Sequence, residues 1–160
     1  MSAPKHVLFV CTGNTCRSPM AEGLFRKAAA GREDITVSSA GVAASKGTPA
    51  SRETLQVLKK RGASLEVFKS RPVSEQILAE ATHVFAMTEG HLAALEACFP
   101  QHADKLFLVR EFSGITDKRQ GIDVPDPIGM GPVAYEEVAK VLDAAIPAII
   151  SYLESVGGKG

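Results

Sequence analysis

Two side chains suited to phosphorus chemistry stand six positions apart near the start of the chain, Cys11 and Arg17. The run Val7 to Cys11 is apolar, β-branched and aromatic, which predicts a strand ending at the cysteine. Gly13 and Asn14 then form a short loop, and Pro19 opens a helical pattern. A strand, tight loop and helix in this order aim backbone N–H groups and the positive helix end at one spot. A thiol there is surrounded by donors that favour the thiolate. The planar guanidinium of Arg17 matches two oxygens of a tetrahedral oxyanion. The chemistry is a phosphate cradle with a sulfur nucleophile at its base. Cys-x5-Arg alone recurs by chance; the strand before it, the Gly and Asn inside it and the Pro after it make the pattern specific.

Displacing a leaving group from phosphorus also needs a proton donor. Asp126 lies between Pro125 and Pro127, which hold it in a restricted, extended loop. Alone, such a run is a turn; beside a cysteine nucleophile it is a candidate general acid. Asp123 is three positions earlier. Asp126 is preferred because both neighbouring prolines restrict its backbone.

The rest of the chain bounds what these residues can serve. Its 160 residues suit one domain, expected over 1–156, with 157–160 as a flexible tail. Lys plus Arg equal Asp plus Glu at 18 each, with no basic stretch to follow a nucleic-acid backbone. Met1 to His6 is too short and polar for a signal peptide, and no apolar run reaches membrane-spanning length. Three cysteines are too few for a disulfide scaffold, so a reducing cytoplasm is expected. His6, His83, His91 and His102 lack zinc-site spacing and are read as ordinary surface or core residues. No metal and no cofactor is expected.

Strand and helix patterns alternate. Strands are predicted at His6–Cys11, Ile35–Ser39, His83–Met87 and Lys105–Val109. Helices are predicted at Pro19–Ala30, at Pro49–Arg61 with Thr48 as cap and Gly62 just past the end, at Ser74–Ala81, at Thr88–Phe99 and at Val133–Ser155, with a bend at Pro147. Alternation of this kind implies an α/β, three-layer fold with a parallel sheet covered on both faces. Ligands in such sheets bind at the carboxyl ends of strands, where Cys11 falls.

Together, Cys11-Thr-Gly-Asn-Thr-Cys-Arg-Ser-Pro19, Met20-Ala-Glu22, Ser39-Ala-Gly41 and Asp126-Pro127 resemble the low-molecular-weight protein tyrosine phosphatase family over nearly the whole chain. The resemblance implies a four-stranded parallel sheet with an N-terminal phosphate-binding loop and a cysteinyl-phosphate intermediate. It further implies that Cys11 would attack phosphorus, that Arg17 and the N–H groups from Thr12 to Arg17 would bind the phosphoryl oxygens, and that Asp126 would protonate the leaving group and then activate water. Ser18 stabilises the thiolate. Asn14 holds a left-handed loop conformation, which Asn tolerates. Substrates would be phosphorylated proteins and the product inorganic phosphate, with no nucleic acid or membrane involved.

The phosphorylated residue follows from departures within the family. Members acting on phosphotyrosine often carry a bulky aliphatic residue at the position of Thr15 and tyrosines just after the Asp-Pro pair. This chain has Thr15, Ile128 and Gly129 there, and the small Ala43 beyond Gly41. Thr15 resembles the bacterial protein-arginine phosphatase branch, although that branch often has Phe at the position of Ile128. Phosphoarginine is therefore favoured, with phosphotyrosine as the alternative. Thioredoxin-coupled arsenate reductase shares the loop but needs two further cysteines near mid-chain; only Cys98, read as a core residue, is there. A non-catalytic phosphoprotein binder would need neither Cys11 nor Asp126. Cys16 shares the loop with Cys11, and a Cys11–Cys16 disulfide would protect the nucleophile from over-oxidation.

Overall fold

The computed structural model describes residues 3–65, 67–112 and 123–157, without the side chains of 156 and 157. Strand β1, Lys5–Cys11, is central, and its alternate side chains enter two separate cores. Val7, Phe9 and Cys11 face one side, with helices α1 (Arg17–Ala28), α2 (Arg52–Lys60) and α5 (Pro132–Gly157). Leu8 and Val10 face the other, with Leu78 of α3 (Glu75–Glu80) and Leu95 of α4 (Glu89–Cys98). Burial on both faces explains why this strand reads as a continuous apolar run. Strands β2 (Ile35–Gly41), β3 (His83–Ala86) and β4 (Leu106–Leu108) complete an all-parallel sheet in the order β2-β1-β3-β4. The three-layer, four-stranded α/β expectation is met.

Several boundaries differ from expectation, each for a local reason. The first helix begins at Arg17, two residues before Pro19, with Cys16 at its N-cap. Pro19 lies within the first turn, where its missing N–H costs nothing. The second helix begins at Arg52 and is capped by Ser51, whose hydroxyl accepts from Thr54 N at 3.2 Å. Thr48 is not the cap: its N–H donates to Ser70 Oγ and its carbonyl accepts from Ser70 N. Those backbone groups tie two loops together instead of opening a helix. Gly62 follows the Arg61 C-cap with φ of 69°, in the left-handed region that glycine supplies. The last helix starts at Pro132, runs through Pro147 and ends at Gly157; 158–160 lie outside the described residues. Cys98, expected in the core, is exposed, and the buried face of α4 is carried by His91 and Leu95. Among the described residues no helix is long and apolar enough to cross a membrane.

Register brings the site together. Cys11 pairs with Gly41 at the carboxyl ends of β1 and β2. The chain after β2 then supports the cradle: Val42 N donates to Cys11 O at 2.9 Å and Ala43 N to Thr12 O at 3.0 Å. A Cβ on Gly41 would lie 2.4 Å from Thr12 O and 3.0 Å from Asn14 N. Only glycine lets β2 come this close to the loop.

Candidate active site

Three helices carry a hydroxyl cap: Ser51 on α2, Ser74 on α3 and Thr88 on α4. Helix α1 has none. Its first turn therefore has no capping side chain in the place where an anion can bind a helix start. Cys11 is buried at the base of that loop. Its Sγ lies 2.9 Å from Ser18 Oγ and accepts from Asn14 N at 3.3 Å.

Asn14 has the expected left-handed backbone, with φ of 58°. Its side chain does more than tolerate that conformation. The Oδ1 accepts from Arg71 N at 3.0 Å, and Nδ2 donates to Ser18 Oγ at 2.8 Å and Ser39 Oγ at 3.0 Å. The residue is fully buried with every side-chain group engaged. Thr15 is half-buried, and its carbonyl accepts from Ser51 N at 2.8 Å, so α2 sets its position at the rim. Gly13 is likewise half-buried in the same loop.

Arg17 is buried, and its fork spans the gap between the two halves of the site. Nη1 donates to Val124 O at 2.9 Å, and Nη2 lies 3.5 Å from Thr12 Oγ1 and 3.8 Å from Asp126 Oδ2. Asp126 is half-exposed, and its Oδ1 accepts from Ile128 N at 3.1 Å, an Asx turn that aims the other oxygen toward Arg17. The two aspartates separate cleanly. Asp123 Oδ1 accepts from Glu89 N at 2.7 Å and so caps the start of α4. Asp126 is the carboxylate that meets the cradle. Ile128 is 58% exposed, so it lines the mouth without closing it.

The arrangement can place a sulfur nucleophile below a tetrahedral oxyanion, a guanidinium beside it and a carboxyl group above the leaving atom. Among the described residues no cluster of three His, Cys, Asp or Glu side chains offers a metal site. Cys16 is a free, buried thiol, and its Sγ lies 3.3 Å from Tyr135 Oη. Burial, and next the contact with Cys16, push the Tyr135 phenol up to about 12. Either group can donate in this contact.

Two site residues escaped the sequence reading. His91, taken as an ordinary residue, is buried with Nε2 2.7 Å from Thr12 Oγ1. Burial, and next the Arg17 guanidinium, push its imidazole down to about 4. The signal was its place at the start of the helix after β3, beside the carboxyl end of a strand. Tyr135, on the first turn of the last helix, had no signal beyond helical spacing.

Known proteins share this architecture. Residues 6–157 match the model for the low molecular weight phosphotyrosine protein phosphatase family. A protein-arginine-phosphatase of Geobacillus stearothermophilus is 39% identical over 153 residues, covering 95% of this chain and 98% of its own. The structure of the YwlE arginine phosphatase from the same organism aligns with a TM-score of 0.84 at 36% identity, covering 95% of this chain and 94% of that one. A low molecular weight protein tyrosine phosphatase from T. tengcongensis gives a TM-score of 0.84 at 41% identity, covering 92% and 99%. With sequence, register and cradle geometry in agreement, the chain belongs to the low molecular weight phosphotyrosine protein phosphatase family.

Proposed function

We propose that this protein is a cysteine-dependent protein phosphatase that favours phosphoarginine. The convergence of Cys11, Arg17 and Asp126 on one cradle supports the chemistry. Cys11 Sγ attacks phosphorus in line, forming an S–P bond as the P–N bond to the guanidine breaks. Arg17 and the loop N–H groups of residues 12–17 hold the equatorial oxygens, more tightly as charge develops. Asp126 gives its proton to the departing nitrogen. Its carboxylate then takes a proton from water, which attacks phosphorus, breaks the S–P bond and releases inorganic phosphate and the thiolate. Ser18 Oγ, 2.9 Å from Cys11, donates to the sulfur whenever it carries the negative charge.

Substrate preference rests on Thr15 and Ile128. A phenyl ring stabilised by stacking wants an aromatic wall at the mouth, and the chain has Ile128 and Gly129 there. Thr15 offers a small polar edge that can hydrogen-bond a guanidine N–H. The arginine phosphatase relative supports the same reading. Soluble, cytoplasmic phosphoproteins are the proposed substrates. Matched phosphoarginine and phosphotyrosine peptides, with Cys11→Ser as the blank, test it. Faster phosphate release from phosphoarginine is expected; a phosphotyrosine preference would overturn the assignment of Thr15 and Ile128.

A further inference from the structure

Thr12 follows the nucleophile directly and is exposed, whereas Cys11, Asn14, Cys16, Arg17 and Ser18 are buried. Its backbone N–H belongs to the cradle, but its hydroxyl has no part in the chemistry described above. That hydroxyl oxygen lies 2.7 Å from His91 Nε2 and 3.5 Å from Arg17 Nη2. We propose that Thr12 is a further catalytic residue, whose hydroxyl, oriented by His91, donates to the phosphoryl oxygen that Arg17 Nη2 holds.

The position of the protons sets the direction of these bonds. His91 has one ring nitrogen on Thr12; the other, Nδ1, is buried without a partner among the described residues. Burial and the nearby Arg17 push the imidazole down to about 4, so at neutral pH the ring carries one proton. A buried N–H without an acceptor is rarer in proteins than an idle acceptor lone pair. His91 also lies in the first turn of α4, where the positive helix end favours a lone pair over a proton. The proton therefore sits on Nε2 and is donated to Thr12 Oγ1. A guanidinium can only donate, so Thr12 Oγ1 accepts from Arg17 as well. Its own proton is left with no acceptor in hydrogen-bond reach among the described residues. A tetrahedral oxyanion in the cradle supplies one. Oγ1 and Nη2 are 3.5 Å apart, so both can reach a single oxygen at the usual ~2.8 Å. Such a bond strengthens as that oxygen gains charge in the transition state.

The inference rests on the phosphatase reading, and turnover of p-nitrophenyl phosphate by the full chain tests it. Thr12→Val keeps the shape and loses the hydroxyl. It should lower kcat about tenfold with little change in KM, as for a donor that acts in the transition state. Inhibition by orthovanadate, which mimics that state, should weaken about tenfold as well. Thr12→Ser should recover most of both losses. Iodoacetamide should alkylate Cys11 of the Thr12→Val protein at the wild-type rate, because the nucleophile itself is untouched. His91→Phe removes the orienting donor; it should lower kcat about threefold and add nothing to Thr12→Val in the double variant. A wild-type kcat in Thr12→Val, a Thr12→Ser protein no better than Thr12→Val, or a changed alkylation rate would overturn the role of the hydroxyl. Losses that multiply in the double variant would overturn its orientation by His91. If His91→Phe does not fold, Thr12→Val and Thr12→Ser decide alone. A wild-type protein that releases no phosphate would instead defeat the phosphatase reading, and the inference with it.

Discussion

The cradle of residues 11–18 and the acid loop of residues 123–130 face each other across Arg17, and they are built in opposite ways. In the cradle, Cys11, Asn14, Cys16, Arg17 and Ser18 are buried, and the groups around Cys11 satisfy one another. In the acid loop, Asp126 is half-exposed, and Ile128 and Met130 are 58% and 69% exposed. Its ties to the rest of the fold include Val124 N to Met87 O, Val124 O to Arg17, Asp123 Oδ1 to Glu89 N and Asp123 O to Arg110. The cradle is part of the core. The acid loop is a rim feature. Energetically, core geometry tolerates little change, whereas an exposed loop can be rebuilt without unfolding the sheet.

The hardest break is at the strut between the two regions. Arg17→Lys keeps the charge but loses the fork that reaches Val124 O and Thr12 Oγ1 together. About a thousandfold loss in kcat/KM is expected, the scale of removing a preorganised transition-state donor. Asp126→Asn touches only the rim. It should lower kcat about a hundredfold for a poor leaving group, and much less for p-nitrophenol, which leaves without a proton. An equal loss on both substrates would remove Asp126 from the acid role.

The same contrast separates what was legible in the sequence from what was not. Cys11, Gly13, Asn14 and Arg17 are close together in the sequence, so their chemistry stands in one short run bounded by strand and helix patterns. Asp126 was legible because two prolines mark it, although Asp123 could be separated from it only once the α4 cap was known. The placement of Glu22, Ser39 and His91 beside the cradle was not legible in the sequence. They reach the cradle through the pairing of Cys11 with Gly41 and the packing of α1 and α4, contacts between residues far apart in the chain. Thr48 misled for a related reason: a good local cap was outcompeted by its tie to Ser70.

A finer probe sits at the boundary, on Thr15. Its carbonyl is pinned by Ser51, while its side chain has one weak neighbour, Cys16 Sγ at 3.7 Å. Thr15→Ile should therefore preserve folding and leave aryl phosphate turnover within about threefold, while shifting the phosphoarginine to phosphotyrosine ratio about tenfold toward phosphotyrosine. An unchanged ratio would place selectivity wholly in the acid loop, and Ile128→Tyr would then be the substitution that moves it.

The smallest expected effect reports on the cradle wall through stability. His91 has an imidazole pushed down to about 4 by burial and then by Arg17, with Asp123 and Asp126 acting weakly in the opposite direction. The unfolded chain takes up this proton near 6.5, the folded protein only near 4. Between those values the unfolded state binds more protons, so stability falls as the pH drops through that window and is unaffected above it. His6 and His83 are also lowered by burial, so the wild-type decline is a sum of several groups. His91→Gln isolates one of them, with an amide that can still reach Thr12. The variant should lose less Tm than wild type between pH 7 and pH 4.5, by a few degrees, for a linkage of about 2 kcal/mol. Parallel Tm curves would mean that His91 takes up its proton at the same pH folded and unfolded, so that burial beside Arg17 does not disfavour its charge.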